Sequence, residues 1–449
     1  MMKKHARFYL VTVIALMLFL IAACAKPPGA TPPPANTPNP ATEQPSNPGG
    51  TPANPAPGTA PEEEIVPEEG AQLLIWDNKD SEGEWAQYVA EEFTKRYGIP
   101  VTYENVNHTD APGKLQTDGP AGLGADVFLA PHDHTGSLAA AGLILENFWP
   151  EQYQETSLQA AINGTTVDGT LYGYPVSIET YALYYNKDLA PQPPGTWEEL
   201  IAQAKAFNDI ANDKYGFMME VGNFYYNYAF IGAYGGYIFG ENNTNPQDIG
   251  LNTEGAVKAG EFMKRLQNEV LPLKVEDITY DLKQSLFNDG KLMYNIDGPW
   301  ALASHRAVEG LNFGVAPLPK LDNGEQPTSF SGIKQYLVNA YTKYPNAASL
   351  YAQFASSEEM LLKRYEITGQ IPATESLLDH PALQQDEVAM AFLNQATSAV
   401  PMPNIPEMQY VWGPMGTAFT AIWNGIEEPK AALELGTQQV KDAIQNAQQ

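Results

Sequence analysis

Cysteine and basic residues are scarce in this sequence, and each shortage excludes a class of protein. Cys24 is the only cysteine among 449 residues, so the chain can form no internal disulfide and no cysteine-based metal site. Against 53 Asp and Glu there are only 25 Lys and Arg, which gives a formal net charge of -28. A nucleic-acid-binding protein needs basic surfaces that neutralise phosphates, so we predict no nucleic-acid partner.

The first 24 residues are typical of a bacterial export signal. Lys3, Lys4 and Arg7 precede an apolar run from Phe8 to Ala23 that is too short to span a bilayer. The run ends in Leu-Ile-Ala-Ala-Cys, which resembles a lipobox, the sequence at which diacylglycerol is attached to cysteine. We therefore expect a signal peptide over residues 1–23 and a lipid anchor, including palmitate, on Cys24 at the extracytoplasmic face of the cell membrane. An uncleaved signal anchor is the alternative.

A proline-rich stretch follows the cysteine. Residues 25–61 contain 13 prolines, and no aromatic residue occurs between Cys24 and Trp76. Such a composition buries too little apolar surface to fold, so we predict that residues 24–70 form the lipidated cysteine and a disordered tether. Extended polyproline segments span about 3.1 Å per residue, so the tether could hold the folded part roughly 100 Å from the membrane.

The remaining ~380 residues exceed the usual size of a single hydrophobic core, so we expect two lobes. Short apolar runs alternate with amphipathic helices, which predicts an α/β fold. Trp85, Val89, Phe93 and Tyr97 recur at helical spacing, and Gly98 ends that helix. The other predicted elements are strands at 73–76, 101–103, 127–130 and 292–296 and a helix at about 254–269.

Carboxylates and an indole follow three of the predicted strands, at Asp80, Asp133 and Trp300. In open α/β sheets ligands collect at the carboxyl ends of strands, so these residues are the first candidates for a binding site. Ionised carboxylates accept short hydrogen bonds from hydroxyl groups, and a broad aromatic ring covers the apolar face of a sugar. Each residue also has a structural alternative, because Asp caps helices and turns and Trp fills cores.

Two further clusters are ambiguous. The tyrosine-rich segments 224–228 and 234–237 suit either a sugar-binding wall or buried tyrosines bonded to backbone carbonyls. His132-Asp133-His134 invites a metal interpretation, but neighbouring side chains of an extended segment point in opposite directions, and metal sites need three or four convergent ligands. We therefore predict no metal and no cofactor. No local sequence pattern selects a pair of catalytic carboxylates, so an enzyme has no positive support.

Several segments together resemble the periplasmic maltose/maltodextrin-binding proteins, within the larger family of ABC extracellular solute-binding proteins. The resemblance runs from about Leu73 to the C-terminus and is carried by segments 74–76, 132–133, 172–175, 185–189, 196–200, 235–237, 297–300 and 402–406. The segments at 185–189 and 196–200 mark the general family. Gly298-Pro299-Trp300 and residues 402–412 correspond to segments that carry cleft residues in the maltodextrin group.

This resemblance implies a periplasmic-binding-protein-like α/β fold, in which two lobes are joined by a multi-strand hinge with the ligand cleft between them. It places the N-lobe at residues 71–178 plus 332–380 and the C-lobe at residues 179–331 plus 381–449. The crossovers are expected near 177–181, around 326–332 and after Leu378. Closure of the hinge on the ligand would signal occupancy to the transporter.

The resemblance also assigns cleft residues, which comprise three hydroxyl acceptors, three stacking rings and a methionine: Asp80, Asp133, Glu179, Tyr225, Trp300, Trp412 and Met402. Six positions depart from the maltose-binding pattern, with Ser81, Ala130, His134, Asn223, Gly413 and Gly416 replacing Lys, Trp, Arg, Glu, Tyr and Arg. Ser81, His134 and Asn223 remain among the predicted sugar-binding residues. The loss of bulky side chains predicts a wider cleft, suited to longer maltodextrins, cyclodextrins or another oligosaccharide such as a β-linked galactan or arabinoxylan fragment.

The function implied by the resemblance is capture of maltodextrin-class oligosaccharides by a non-enzymatic, monomeric binding protein that delivers them to ABC permease subunits. A surface-anchored carbohydrate-active enzyme and an adhesive lipoprotein are the competing hypotheses. An enzyme would cleave a bound oligosaccharide, and an adhesin would show no ligand-dependent compaction.

Overall fold

The fold is that of a computed structural model, which describes residues 65–448. Cys24, the predicted signal peptide and the predicted tether up to residue 64 lie outside the described residues. None of the helices between residues 65 and 448 combines the length and the apolar character that a membrane span requires.

Short apolar runs form the strands, as the alternating pattern predicts. The strands are β1 (Leu73–Asp77), β2 (Val101–Asn105), β3 (Val127–Pro131), β4 (Thr166–Val167), β5 (Thr170–Leu171), β6 (Tyr174–Glu179), β7 (Ala182–Asn186), β8 (Tyr215–Met218), β9 (Asn245–Ile249), β10 (Leu292–Asp297), β11 (Phe313–Ala316), β12 (Phe330–Val338), β13 (Ile371–Pro372) and β14 (Val400–Pro401). The strands predicted at 73–76, 101–103, 127–130 and 292–296 are all present, each extended by one or two residues.

Some of the helices begin or end at recognisable caps. They are α1 (Asp80–Tyr97), α2 (Ala111–Asp118), α3 (Thr135–Ala140), α4 (Pro150–Thr156), α5 (Gln159–Thr165), α6 (Trp197–Phe207), α7 (Phe224–Ala233), α8 (Gly240–Asn243), α9 (Glu254–Glu269), α10 (Tyr280–Asn288), α11 (Leu302–Arg306), α12 (Pro345–Ala355), α13 (Glu358–Thr368), α14 (Glu375–Leu378), α15 (Pro381–Gln384), α16 (Glu387–Ala396), α17 (Trp412–Trp423) and α18 (Pro429–Ala447). Gly98 ends α1 in the left-handed conformation, and Thr196 and Glu199 form a capping box at the start of α6.

Two sheets organise residues 65–448. The larger has seven strands in the order β13-β6-β12-β3-β1-β2, with β14 paired to β12. The smaller has four strands in the order β11-β7-β10-β8. We call the part built on the larger sheet the first lobe and the part built on the smaller sheet the second lobe.

Each lobe has its own hydrophobic core. On one face of the larger sheet Trp85, Val89 and Phe93 of α1 pack against Tyr336 and its neighbours, and Trp76 lies in a separate cluster. The core of the second lobe is larger and includes Trp197, whose ring contacts those of Phe217 and Phe230 edge to face. The predicted α1 face is correct for its first three residues, whereas Tyr97 in the last turn stays 40% exposed.

The chain passes between the sheets through residues 180–181, between β11 and β12, and between β13 and α17. We call these three segments the hinge. Thr180 Oγ1 donates to the Phe330 carbonyl oxygen at 2.8 Å and lies 2.7 Å from Ser329 Oγ. Gln395 of α16 donates from Nε2 to the same serine oxygen at 3.0 Å. Side chains from all three segments are therefore joined by hydrogen bonds.

A buried imidazole fixes the first lobe to this hinge. His132 is fully buried in a 3₁₀ turn after β3, and its Nδ1 accepts a hydrogen bond from the Ile333 backbone N–H at 3.0 Å. Its Nε2 lies 3.0 Å from the Met402 carbonyl oxygen. Because Nδ1 accepts, the ring is neutral and carries its proton on Nε2. One ring thus joins β12 to the hinge segment that contains β14.

The last residues of the predicted tether already contact the fold. The Glu68 carboxylate accepts hydrogen bonds from the backbone N–H groups of Asn346 and Ala347 at the start of α12. A carboxylate at a helix N-terminus satisfies donors that have no partner within the helix. Contact with the first lobe therefore begins before residue 70, where the tether was predicted to end.

Protonation of His132 should weaken the hinge. Burial lowers the pKa of His132, so the unfolded chain takes up this proton at a higher pH than the folded protein, and stability is lost as the pH falls below about 6.5. The variant His132→Gln lacks this proton uptake. Its free energy of unfolding should therefore depend less on pH below about 6.5, by up to about 1.4 kcal/mol per pH unit.

Urea unfolding between about pH 7.5 and 5 measures this difference. Above about pH 7 the variant should be less stable by about 1–3 kcal/mol, because two buried backbone groups lose their partner. Parallel stability curves for the two proteins across the whole pH range would contradict the role assigned to His132.

Candidate functional site

A cavity of about 850 Å³ is lined by residues of both lobes and by the hinge. Its walls include the carboxyl ends of β1, β2, β3 and β10, which is where an open α/β sheet exposes loops to a ligand. All ten residues predicted as sugar contacts line this cavity: Asp80, Ser81, Asp133, His134, Glu179, Asn223, Tyr225, Trp300, Met402 and Trp412.

Asp80 and Ser81 lie at the start of α1, directly after the turn that follows β1. Asp80 has a positive φ of 59°, a conformation that Asp tolerates better than most residues. Its side chain is 80% exposed, and the nearest cation is Lys79 at 3.8 Å. The carboxylate is therefore free to accept hydrogen bonds from a ligand in the cavity.

Asp133 is buried and connects the two lobes directly. Its Oδ2 accepts a hydrogen bond from Trp412 Nε1 at 3.1 Å and another from Gln409 Nε2 at 3.2 Å. The same glutamine nitrogen donates to the Asp133 carbonyl oxygen at 2.8 Å. Asp133 thus orients the indole of Trp412 from the opposite side of the cavity.

The His132-Asp133-His134 segment is a 3₁₀ turn and does not continue the strand. His132 points into the hinge, whereas His134 lines the cavity, with Nε2 4.0 Å from Asp133 Oδ2. Among residues 65–448, no group of three His, Cys, Asp or Glu side chains is arranged to hold a metal ion.

Three rings of the second lobe form an aromatic wall. Tyr225 lies in the first turn of α7, with its ring centroid 6.2 Å from that of Trp300. Trp412 begins α17, and its ring contacts Phe330 edge to face with centroids 6.0 Å apart. Because these rings are only partly buried, they keep exposed faces toward the cavity. Burial raises the pKa of Tyr225 well above its usual value, so its hydroxyl stays protonated and can donate.

A glycine and an ion pair hold Trp300 in place. A Cβ on Gly298 would overlap the Trp300 ring, so the indole lies directly over the glycine. Asp297 accepts a hydrogen bond from Gly298 N at 2.9 Å, and its other oxygen pairs with the fully buried Lys283 at 3.0 Å. The turn that carries the indole is therefore rigidly attached to α10.

The tyrosine-rich segments divide between the two interpretations. Tyr225 and Tyr226 line the cavity. Tyr228 instead stacks on Phe330 with centroids 4.0 Å apart, and Tyr234 and Tyr237 donate to Asp322 and Asp248. Only the first turn of α7 faces the cavity, because a helix presents one side to a given surface.

The remaining predicted residues close the rim and the floor. Asn223 is exposed at the N-terminus of α7, where its side chain accepts a hydrogen bond from Tyr225 N at 3.1 Å. Met402 is buried beside Gly332. Ala130 is fully buried in the core of the first lobe and does not line the cavity, whereas Gly413 has open space around its Cα.

Sequence reasoning missed several cavity residues: Glu82, Asn107, His108, Tyr280 and Lys334. A lysine within the otherwise largely apolar β12 was a visible signal for Lys334, because an unpaired charge is costly to bury. His108 follows β2, so the strand-end rule that selected Asp80 also covers it. The residues on α1 and α10 have no comparable sequence signal.

The surroundings shift the pKa values of two deep carboxylates in opposite directions. Burial alone would raise the pKa of Glu82, but Lys334 and Arg364 lower it well below its usual range. Burial raises the pKa of Glu179 despite the opposing effect of Lys334. Burial also lowers the pKa of His108 to about 3, so this ring is neutral at pH 7. The cavity thus combines oxygen acceptors with aromatic faces, which suits an uncharged ligand that carries many hydroxyl groups.

The chain is similar to proteins of known role. The family model for bacterial extracellular solute-binding proteins matches residues 88–391. A galactooligosaccharide-binding protein of Bacillus subtilis is 35% identical, with 84% of this chain and 90% of that protein covered. A maltodextrin-binding protein of the same organism is 33% identical over 77% of this chain and 83% of its own length.

A solved structure of a sugar-binding protein is also similar in fold and sequence. A cyclo/maltodextrin-binding protein complexed with maltotetraose superposes with a TM-score of 0.72 at 37% identity, covering 86% of this chain and 99% of that one. The predicted two-lobed, periplasmic-binding-protein-like α/β fold is thereby confirmed. Because the family model spans more than half of the sequence, this chain belongs to the bacterial extracellular solute-binding proteins.

Proposed function

We propose that this protein captures maltodextrin-type oligosaccharides in the cavity between its lobes and delivers them to an ABC permease. The observation that carries the proposal is the lining of the cavity, where carboxylates of the first lobe and hinge face aromatic rings of the second lobe. Hydroxyl groups of a sugar would bind to the former, and the apolar faces of its rings would stack on the latter.

Individual roles follow from position. Asp80, Asp133 and Glu179 act as hydroxyl acceptors, and Tyr225, Trp300 and Trp412 form the stacking surface. Ser81, His134, Asn223 and Met402 complete the rim and floor. The volume of about 850 Å³ supports a ligand of several sugar units and not a monosaccharide.

The relatives support an oligosaccharide ligand and leave two sugar classes to be compared. One relative binds galactooligosaccharides and another maltodextrins, at nearly equal identity. The structural neighbour that is bound to maltotetraose favours α-glucans as the first candidate. A β-linked galactan fragment is the second.

Binding and hinge motion are coupled through residues that touch both lobes. We assign residues 71–178 plus 332–380 to one lobe and residues 179–331 plus 381–449 to the other, with the hinge between them. A ligand that contacts Asp80 on one side and Trp300 on the other binds better to the closed form and so shifts the population toward it. The permease then recognises the closed form of the protein.

We also propose that the protein is anchored by a lipid and does not cleave its ligand. Cys24 carries a lipid that holds the protein at the extracytoplasmic face of the membrane, as the sequence before it indicates. The protein acts as a monomer. It also returns its ligand unchanged, and its membership in a family of solute-binding proteins supports this second part.

Titration calorimetry of residues 62–449 with maltose, maltotriose, maltoheptaose, β-cyclodextrin and β-1,4-galactotetraose tests the ligand class. We expect micromolar or tighter binding to the longer α-glucans, and recovery of the sugar intact. Binding to galactotetraose alone would move the ligand to the second class, and release of shorter sugars would contradict a purely binding role.

Changes around the Trp300 ring should weaken binding while the protein stays folded. Trp300→Ala removes a stacking surface and should reduce affinity by about 1–3 kcal/mol. Gly298→Ala forces the ring aside and should cost about 1 kcal/mol or more. The matched control is Gly113→Ala in α2, where the added methyl meets nothing within 4 Å. Wild-type affinity in Trp300→Ala would remove this ring from the site.

Cys24→Ala should release the protein from the membrane, or leave its signal uncleaved, without changing its affinity for sugar. Fractionation of cells that express the variant, followed by mass analysis for bound lipid, measures this. A lipidated variant would contradict the anchor assignment.

A further inference from the structure

Lys334 is a charged residue in the middle of a buried strand. It lies on β12, every residue of which is buried, and is itself 2% exposed. Its side chain nevertheless lines the cavity. A charge at the floor of a binding cavity is expensive to keep there unless it is paired, and it often has a function.

Two carboxylates from different elements surround the ammonium group. Nζ donates to Glu82 Oε1 of α1 at 2.7 Å and lies 3.0 Å from Glu179 Oε1 at the end of β6. Glu82 is fully engaged, because Arg364 donates to it at 3.1 Å and Gln370 at 2.6 Å. Lys334 is therefore paired with Glu82, whose carboxylate already accepts hydrogen bonds from other protein side chains.

Glu179 is in a different situation. Its Oε1 is buried and pairs with Lys334 Nζ at 3.0 Å, whereas no described residue donates a hydrogen bond to its Oε2. The side chain is more than nine-tenths buried and lines the cavity. A carboxylate oxygen that has no donor within the protein can accept a hydrogen bond from a ligand.

The donors of Lys334 are also incompletely used. An ammonium group has three N–H donors, and two of them face Glu82 and Glu179. The cavity floor therefore presents the third donor of Lys334 beside the second oxygen of Glu179. A donor and an acceptor that lie next to each other suit two hydroxyl groups on neighbouring carbons of a sugar ring.

We propose that Lys334 binds the sugar directly, and that Lys334 and Glu179 together form hydrogen bonds with a vicinal pair of hydroxyl groups. Nζ donates to one hydroxyl oxygen, and the Glu179 carboxylate accepts from the hydroxyl on the neighbouring carbon. The inference rests on the proposed function and adds to it a specificity determinant, since a sugar that lacks either hydroxyl would lose a charge-assisted hydrogen bond.

Glu179 and Lys334 lie close to the hinge, so a sugar bound to them would contact the strands next to it. Glu179 ends β6 immediately before the crossover at residues 180–181, and Lys334 follows the crossover into β12. In the register of the larger sheet Glu179 lies opposite Gly332, two residues from Lys334. A bound diol thus bridges two hinge strands at the point where they leave the sheet.

A double-mutant cycle distinguishes direct contact from positioning. The full chain in detergent micelles is titrated with maltotetraose and with β-1,4-galactotetraose, as wild type, Lys334→Met, Glu179→Gln and the double variant. We expect Lys334→Met to weaken binding at least tenfold, and to weaken it further in the Glu179→Gln background. The control is Lys363→Met on α13, whose partner Glu366 is half exposed.

Two outcomes would overturn the inference. Unchanged affinity in Lys334→Met would remove Lys334 from the site. No further loss in the Glu179→Gln background would show that Lys334 only positions Glu179. If wild type binds neither sugar, the proposed function fails and this inference fails with it. If wild type binds a sugar and Lys334→Met binds it with the same affinity, only this inference is rejected.

A second measurement covers the case in which Lys334→Met does not fold. Lys334→Met/Glu179→Gln removes one charge of each sign and keeps the balance around Glu82. Wild type is also titrated with the 2-deoxy analogue of the sugar that it binds. We expect this analogue to bind at least tenfold more weakly to wild type, and equal affinity for the two sugars would overturn the vicinal-diol assignment.

Discussion

The strand Phe330–Val338 is the constraint on which the rest of the structure depends. It pairs with β3, β6 and β14, so it joins the first lobe to two of the hinge segments. All nine of its residues are buried, which means that neither its register nor its direction can change without unpacking a core. The cavity, the hinge and the aromatic wall all take their positions from this strand.

Its two ends serve different purposes. At the start, Phe330 packs under Tyr225, Tyr228 and Trp412 and so supports the aromatic wall from behind. Further along, Ile333 donates its backbone N–H to His132, and Lys334 reaches the cavity floor. In the lobe closure proposed above, backbone rotation would fall on the hinge segments and on the short stretch between Phe330 and Ile333, where Gly332 occurs. Because hinge residues absorb backbone rotation in a few positions, this is a suitable place for it.

The sequence predicted the parts of this arrangement that follow from local rules. Strand ends identified Asp80, Asp133 and Trp300 because a strand is recognised by its apolar run and a ligand site lies at its carboxyl end. Resemblance to a family added Glu179, Tyr225, Met402 and Trp412, which no local pattern distinguishes from core residues. The structure brings all of them to one cavity, while their contacts with sugar stay predictions.

Other features depend on contacts between residues far apart in sequence. Lys334 and Glu82 are separated by 252 positions, and the bond from His132 to Ile333 spans 201. A histidine before an aspartate suggests a metal as readily as a hinge support, until the partners of each ring nitrogen are known. The split of the tyrosine-rich segment has the same origin, because only the packing of α7 against β12 determines which rings meet the cavity.

Contacts within the protein hold the walls of the cavity in place, and this bears on how affinity is achieved. Trp412 donates its indole N–H to Asp133, and Trp300 is fixed over Gly298 by the Asp297–Lys283 pair. Rings that are already held lose little conformational entropy when a ligand stacks on them, and each immobilised side chain would otherwise cost about 0.5–1.5 kcal/mol. Asp133 is different, because a hydroxyl that approaches it must share the carboxylate with Trp412 and Gln409. In the proposed site the rigid rings would supply affinity, whereas the exposed carboxylate of Asp80 would select among hydroxyl patterns.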